Sequence, residues 1–312
     1  MCPANVSEGR RAAVVASIVL AAGRPGVQLL DIHTDPDHNR SVLTLAGTAD
    51  ALADGVVAAA STAAQTIDLP KQRGVHPRFG SIDVVPFVPV GTDPGGMATA
   101  VSAAREAARR IADEVGIPCF LYEEAGCGRS LPEVRRRAFA DLAPDFGGPG
   151  PHPVAGAVAV GAREPLVAFN VDLDTADLGL ARHIAASIRE RDGGLPHVRA
   201  LGLPLPSRGI VQVSTNLLRP TVTTIGDVFE AVAGLAAAAG IRVKGSEIVG
   251  LPPRAALPAS TTHLLLREPP RILETELALV LASPGRGAGT TNLHKMTAPA
   301  HPWLERRRCR RC

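Results

Sequence analysis

Short apolar runs rich in β-branched residues alternate along the chain with Ala-rich stretches, which is the pattern of an α/β protein. In the first part of the chain, the apolar runs have the length of strands and the Ala-rich stretches have the length of helices. Their order predicts the ferredoxin-like βαββαβ arrangement. The strands are predicted at 2–5, 27–33, 40–46 and 82–90, and the helices at 8–22 and 48–68.

The same order of elements recurs further along the chain. Strands are predicted at 165–172, 197–204, 210–218 and 243–249, and helices at 175–191 and 225–240. The fold class is therefore α/β (α+β), with two ferredoxin-like βαββαβ subdomains and mixed or antiparallel sheets. We expect one subdomain over 1–162, a second over 163–283 and a disordered basic tail over 284–312.

The segment between the two units carries further elements. The pattern predicts a helix at 95–116, a strand at 119–122, a charged helix at 131–142 and a Gly/Pro-rich loop at 146–156. Beyond the second unit, another helix is expected after Pro253.

Composition and charge exclude some classes of protein. Aromatic residues make up only 3% of the chain, too few for a base-stacking platform that binds nucleic acid. The net charge of +3 comes from the end of the chain, since residues from Arg267 onward carry +5 and residues 1–266 carry −2. The net positive charge is therefore poor support for a nucleic-acid partner of the folded part of the chain.

The cysteines and the N-terminus bear on the compartment. Five cysteines without the spacing of a disulfide framework favour a reducing, cytoplasmic environment. Cys309 and Cys312 form a single pair, whereas a zinc site needs four ligands, so no metal is expected.

No apolar run reaches the roughly 18 residues of a membrane span. Ser7 as an N-cap, with Glu8 near the positive helix end, favours a buried helix over a signal peptide.

The candidate chemistry lies in polar loops next to the predicted strands. His76, in the segment 74–80, is the best candidate for general acid/base catalysis, because histidine exchanges protons near neutral pH. Gly74 and Gly80 are expected to allow close approach of a substrate. From the spacing alone, a surface histidine in a turn remains an open alternative.

Other polar residues are weaker candidates. His38 beside Asp37 is a possible site, although the same residues also form good turn sequences. Arg40 and Arg78 can hold carboxylates through bidentate guanidinium contacts. The sequence has no Walker loop, no GxGxxG after a strand, no HExxH and no GxSxG. The residues alone therefore do not name a substrate.

These same segments resemble the formiminotransferase family, which includes the transferase half of formiminotransferase-cyclodeaminase. Each matching string is weak by itself, but the ordered set is specific and covers about residues 1–282. The strings are NVSEG (5–9), LLD (29–31), DPDHNRS (35–41), GVHPRFG (74–80), DVVPFVP (83–89), LYEEA (121–125), APDFG (143–147), GAVAVGAR (156–163), VAFNV (167–171), QVSTNL (212–217) and GSEIVGL (245–251).

The resemblance implies an enzyme of histidine degradation. Such an enzyme transfers the formimino group from N-formimino-L-glutamate to N5 of tetrahydrofolate, giving 5-formiminotetrahydrofolate and glutamate. The resemblance also implies that tetrahydrofolate binds as co-substrate between the two subdomains, and that the protein is a homodimer. The 30 residues after 282 are far too few for a fused cyclodeaminase, so a monofunctional enzyme is expected.

The resemblance places the catalytic histidine at His76. One histidine can take the proton from N5 and give one to the leaving glutamate nitrogen. Because the formimino group is cationic near neutral pH, Asp37 and Asp83 are expected to stabilise it, and no oxyanion hole is needed.

Substrate-binding residues are expected in the same loops. Both substrates carry carboxylates, for which Arg40 and Arg78 are the expected partners, with His38 and Asn39 beside them. The folate-binding loop that the resemblance implies consists of Gly147, Gly148, Pro149, Gly150, Pro151, His152, Pro153, Val154, Ala155 and Gly156.

The sequence departs from the family pattern at a few positions. Val75 stands where the family often has Glu, and Arg137–Ala138 replaces a Gly-Glu pair. These departures leave two alternatives open. One is a related enzyme acting on 5-formyltetrahydrofolate, and the other is a folate-binding protein that has lost its catalytic activity.

Overall fold

The computed structural model describes residues 1–91 and 94–282. The predicted basic tail and its cysteine pair lie outside these residues. Within them, no helix combines the length and the hydropathy that a membrane crossing requires.

The first βαββαβ unit has the predicted ferredoxin-like topology, with antiparallel strands in the order β2-β3-β1-β4. Crossover helices join β1 to β2 and β3 to β4, and a tight turn joins β2 to β3. The elements are Cys2–Val6 (β1), Ala12–Ala22 (α1), Gln28–Asp35 (β2), Arg40–Ala46 (β3), Ala49–Thr66 (α2) and Ile82–Phe87 (β4).

Two more strands extend this sheet to the order β2-β3-β1-β4-β6-β5 and make it mixed, because β6 is parallel to both β4 and β5. The sequence prediction missed β6, a fully buried apolar run without the alternation that marks a half-exposed strand. The added elements are Gly96–Arg110 (α3), Cys119–Glu123 (β5), Leu131–Arg137 (α4) and Val158–Ala162 (β6).

The second unit forms an antiparallel sheet in the order β10-β7-β9-β8, which confirms the second ferredoxin-like subdomain. The helix expected after Pro253 is found about twenty residues later, as α7. The elements are Val167–Leu173 (β7), Leu178–Ile188 (α5), Val198–Leu205 (β8), Ile210–Leu217 (β9), Ile225–Ala238 (α6), Val243–Val249 (β10) and Leu273–Leu281 (α7).

Each sheet buries one face under helices and turns the other toward its counterpart. Side chains alternate along a strand, so the apolar residues of β7 pack under α5 and α6 while Ala168 and Asn170 face the other sheet. The other faces of the two sheets enclose a cleft lined by both polar and apolar residues.

Small residues let the helices approach closely on the covered face of the first sheet. A Cβ on Gly55 of α2 would lie 2.8 Å from the backbone oxygen of Ala22 in α1.

The start of α1 differs from the prediction. The helix begins at Ala12, and the Ser7 hydroxyl donates instead to the Gly80 carbonyl oxygen at 2.7 Å. The Ser7 N-cap prediction is therefore wrong. A Glu8 carboxylate oxygen accepts hydrogen bonds from the N–H groups of Arg10 and Arg11, at 2.8 and 2.9 Å, and places negative charge at the helix N-terminus.

Candidate active site

The cleft between the two sheets is lined at one end by three of the predicted site residues. His38, Arg40 and His76 line it from the first subdomain, and Asn170 and Glu247 line it from the second. The His38 and His76 ring centroids are 5.8 Å apart. The structure therefore brings two of the predicted loops together against the second sheet.

His76 has one ring nitrogen fixed and one available. Its Nδ1 lies 2.8 Å from the Pro77 carbonyl oxygen, which can only accept a hydrogen bond, so Nδ1 carries the proton. Burial, followed by the positive charge of Arg40, lowers the pKa of His76 well below its ordinary value of 6.5. At neutral pH the ring is neutral, and Nε2 presents a lone pair that can accept a proton.

Asp83 is a buried anchor of this segment. Its carboxylate accepts from the Phe79 N–H at 2.5 Å and pairs with Arg40 and, at 2.7 Å, with Arg135. Burial by itself raises the pKa of Asp83, but Arg40 and Arg135 outweigh it and lower that pKa to about 2. Asp83 is thus an anion that holds two arginines and the backbone after His76.

The two arginines predicted to bind carboxylates have different surroundings. Arg40 lines the cleft, with Nε donating to the Asn5 side-chain oxygen at 3.1 Å. Arg78 donates to backbone carbonyl oxygens in its own loop and to those of His38 and Asn39, at 2.8 and 3.2 Å. Arg78 therefore ties the loop of His76 to the loop of residues 35–40.

Asp37 and His38 connect the two subdomains. The Asp37 carboxylate accepts from the N–H and the hydroxyl of Ser207, at 3.0 and 2.5 Å. His38 Nε2 lies 3.1 Å from the Gln212 side-chain oxygen, and the Gln212 amide nitrogen in turn donates to Asp172 at 2.9 Å. These contacts fix the position of one sheet against the other at the His76 end.

Asn39 joins three loops of the first subdomain. Its side-chain oxygen accepts from the Gly9 N–H at 2.9 Å, and its amide nitrogen donates to the Gln72 side chain and to the Arg73 carbonyl oxygen. Asn39 also has a positive φ of 47°, which asparagine tolerates better than most residues. These hydrogen bonds hold the loops around His76 together.

The loop at 147–156 packs beside the His76 segment, and its residues are not among those that line the cleft. Ser81 N–H donates to the Ala155 carbonyl oxygen at 2.8 Å. His152 Nδ1 accepts from the N–H groups of Val154 and Ala155, at 3.2 and 3.0 Å. The folate-binding role of this loop stays a prediction.

The glycines of the His76 segment have a role other than the predicted one. A Cβ on Gly80 would lie 2.0 Å from the Ala157 carbonyl oxygen, and one on Gly74 would lie 2.4 Å from that of His38. Protein backbone fills the space that was expected to admit a substrate, so that expectation is wrong.

We expect Gly80→Ala to lower the free energy of unfolding by about 1–3 kcal/mol, because the added methyl group overlaps fixed backbone. Gly148→Ala is the matched control, since a Cβ there meets no atom within 4 Å, and its effect should stay within about 0.5 kcal/mol. Urea denaturation followed by circular dichroism measures both. Equal stability of the two variants would contradict the close packing at Gly80.

Several residues of the site escaped the sequence prediction. Arg135 and Glu247 gave no local signal, because their partners lie far away along the chain. A signal did exist in β9, where Gln212, Ser214 and Asn216 take every second position and place a polar stripe on one sheet face. Among the described residues, no group of three or more His, Cys, Asp or Glu side chains is placed to hold a metal ion.

Comparison with known proteins assigns the chain to a family. The model of the formiminotransferase domain, N-terminal subdomain, matches residues 1–163, and that of the formiminotransferase domain matches residues 168–291. Glutamate formimidoyltransferases of Streptococcus pyogenes and Thermoplasma acidophilum are each 40% identical, over 82% of this chain and 89% and 88% of their own lengths.

A longer relative matches the same region. The formimidoyltransferase-cyclodeaminase of Mus musculus is 36% identical over 88% of this chain, which spans 54% of that protein. The two family models and the identity to full-length relatives lead to one conclusion: the chain belongs to the formiminotransferase family.

Proposed function

We propose that this protein is a glutamate formimidoyltransferase in which His76 transfers the protons. The reaction moves the formimino group from N-formimino-L-glutamate to N5 of tetrahydrofolate and releases glutamate. The observation that carries the assignment of His76 is its neutral ring at the cleft, with Nδ1 held by Pro77 and Nε2 left as a base.

The proton balance of the reaction suits a single neutral histidine. N5 forms a bond to the formimino carbon and loses a proton, which Nε2 of His76 accepts. The tetrahedral adduct then breaks its bond to the glutamate nitrogen, and the protonated histidine returns the proton to that leaving group. Holding both substrates in one cleft supplies several kcal/mol of the barrier reduction, roughly 7–11 kcal/mol at the upper limit for well-oriented reactants.

The surrounding residues act mainly through position in this proposal. Asp83 fixes Arg40 and the backbone after His76, and Asp37 fixes the second sheet through Ser207. Arg40 lines the cleft and is the proposed contact for a substrate carboxylate. Arg78 donates to backbone carbonyl oxygens and so holds the loop of His76 against the loop of residues 35–40.

The pH dependence of the reaction tests the assignment of His76. Because the pKa of His76 is depressed, the acid limb of kcat/KM should lie below pH 6.5. Arg40→Gln removes a positive charge that lowers this pKa, so the acid limb should move to higher pH. A pH–rate profile of wild type and variant gives the comparison. An acid limb that stays in place would contradict the electrostatic coupling of Arg40 to the catalytic histidine.

A steady-state assay separates the proposed function from its alternatives. Turnover of formiminoglutamate with tetrahydrofolate supports the transferase. Turnover of 5-formyltetrahydrofolate instead would indicate the related one-carbon enzyme, and tight folate binding without turnover would indicate a binding protein. The binding-protein alternative is included because of Val75. This residue stands where many family members have a charged neighbour of His76.

The proposal includes tetrahydrofolate as co-substrate, a homodimer and a cytoplasmic location. Cys2 and Cys119 are buried free thiols and Cys127 is an exposed one, which suits a reducing compartment. Burial raises the pKa of Cys2 to about 12, so this thiol is inert in the fold. Light scattering of the purified protein reports whether it is a dimer.

A further inference from the structure

The end of the cleft opposite His76 carries a second set of charged groups. Glu123, Arg163 and Arg199 all line it. The Arg199 and Glu123 side chains are 34% and 28% exposed, so both can reach a molecule in the cleft. None of the three takes part in the proton transfer described above.

The distance between the His76 end of the cleft and the opposite end follows from residue spacing along two strands. Along β4, Asp83 holds Arg40 at the His76 end, and Phe87 accepts from the Arg163 N–H at the other, four residues on. Along β9, Gln212 contacts His38, and Asn216, again four residues on, is paired with Arg199 of β8. At about 3.3 Å per residue, both strands give a separation of about 13 Å.

Glu123 is held in an unusual backbone conformation at this end. It has φ 48° and ψ −134°, a sparsely populated region for a residue with a side chain. Its N–H donates to the Arg129 carbonyl oxygen at 2.7 Å, and its own carbonyl oxygen accepts from the Gly128 N–H at 2.8 Å. This turn directs the Glu123 carboxylate to Arg199, with one oxygen 3.2 Å from Nη2.

Arg163 differs from Arg199 in lacking a carboxylate partner. Its Nη1 donates to the Glu164 carbonyl oxygen at 2.8 Å and its side chain is hydrogen-bonded with the Tyr122 hydroxyl, but among the described residues no carboxylate forms an ion pair with it. Arg163 and Arg199 together carry two positive charges, of which Glu123 neutralises one. This end of the cleft therefore has a net positive charge and forked donors suited to a carboxylate.

The reach of the two substrates decides which carboxylates fit. In formiminoglutamate, five bonds separate the formimino carbon from the farther carboxyl carbon, about 6 Å when extended. In tetrahydrofolate, eight bonds and a para-substituted ring separate N5 from the glutamate α-carboxyl carbon, about 12 Å when extended. Only the folate can react at His76 and place a glutamate carboxylate at the opposite end.

We propose that Arg163 and Arg199 bind the glutamate carboxylates of the folate co-substrate. In the absence of folate, Glu123 forms an ion pair with Arg199. The inference rests on the proposed function for the identity of the folate. Glu123 is a competing internal anion in this arrangement. The turn at Glu123 holds this carboxylate against Nη2 of Arg199, and an incoming carboxylate displaces that single contact.

The test is calorimetric binding of 5-formyltetrahydrofolate and of 5-formyltetrahydropteroate, which lacks the glutamate. Wild type should bind the glutamate-bearing compound at least about tenfold more tightly, as expected for hydrogen bonds to a charged group. Arg163→Gln and Arg199→Gln should each reduce this ratio to within about threefold and leave pteroate affinity unchanged. Arg105→Gln, an exposed arginine on α3, is the matched control and should keep the full ratio.

Glu123→Gln gives a second readout that a structural role would not produce. Removal of the competing carboxylate should tighten binding of the folate by about threefold and leave the pteroate unaffected. The proposal is overturned if the arginine variants weaken both compounds equally or neither, or if they raise the KM of formiminoglutamate instead. Binding is measured without turnover. Absence of transferase activity would therefore count against the proposed function and would not change the interpretation of the binding result.

Discussion

Replacing His76 with alanine should lower kcat for formimino transfer by a factor of roughly 10² to 10⁴, the usual contribution of a positioned acid/base group. The reason is the proposed role of Nε2 of His76, which accepts the proton from N5 and returns it to glutamate. Because His76 in this proposal supplies protons and not binding energy, the KM of each substrate should change by less than about threefold. Steady-state kinetics with both substrates varied gives the two parameters separately.

His183→Ala is the matched control for this experiment. His183 is an exposed histidine on α5 of the second subdomain, outside the cleft, and its removal should leave kcat unchanged. His76→Gln keeps a polar side chain without a base and should be as slow as the alanine variant. Turnover by His76→Ala within tenfold of wild type would remove His76 from the catalytic role.

Asp83→Asn should lower the free energy of unfolding by about 3–5 kcal/mol, the effect of breaking a buried ion pair from one side. The variant removes the fully buried carboxylate that Arg40 and Arg135 share, and these arginine side chains are themselves only 12% and 22% exposed. Asp141→Asn is the control, because Asp141 pairs with Arg137 on the surface and should contribute less than about 1 kcal/mol. Denaturant unfolding of the three proteins measures the difference.

The contribution of Asp83 should also depend on pH. Its pKa in the folded state is about 2, below the ordinary value of 3.8. The ionised form is therefore the one that stabilises the fold, by about 2 kcal/mol relative to the protonated form. This stabilisation is complete above about pH 5 and is lost as the pH falls from about 4 to 2. A stability difference between wild type and Asp83→Asn that did not shrink with acid would contradict the depressed pKa.

The fold was predictable because each subdomain is built from local patterns. The strands of both units were found by their β-branched residues and the helices by their Ala-rich length, and the topology followed from the order of elements. The strand Val158–Ala162 was missed because both of its faces are buried, so its side chains show no alternation. The early start predicted for α1 came from treating Ser7 as a cap, whereas its hydroxyl reaches the Gly80 carbonyl oxygen across the sheet.

The site was predictable only as a set of loops. The segments around His38 and His76 were recognised from their polar residues, but the partners that give each side chain its role come from elsewhere. Arg135 reaches Asp83 from 52 residues away, and Gln212 reaches His38 from 174 residues away. Such contacts follow from packing within the first subdomain and between the two sheets, which local pattern does not encode. Arg78 shows the consequence, since its fork faces backbone carbonyl oxygens in the folded chain.

One experiment bears most directly on the proposed transfer. Formiminoglutamate labelled with carbon-13 in the formimino carbon is incubated with the protein and tetrahydrofolate, and the products are identified by mass spectrometry. We expect the label in 5-formiminotetrahydrofolate, with unlabelled glutamate released in equal amount, and no such product with His76→Ala over the same time. Label that remains in formiminoglutamate with wild-type protein, while folate binds in the cleft, would contradict the account.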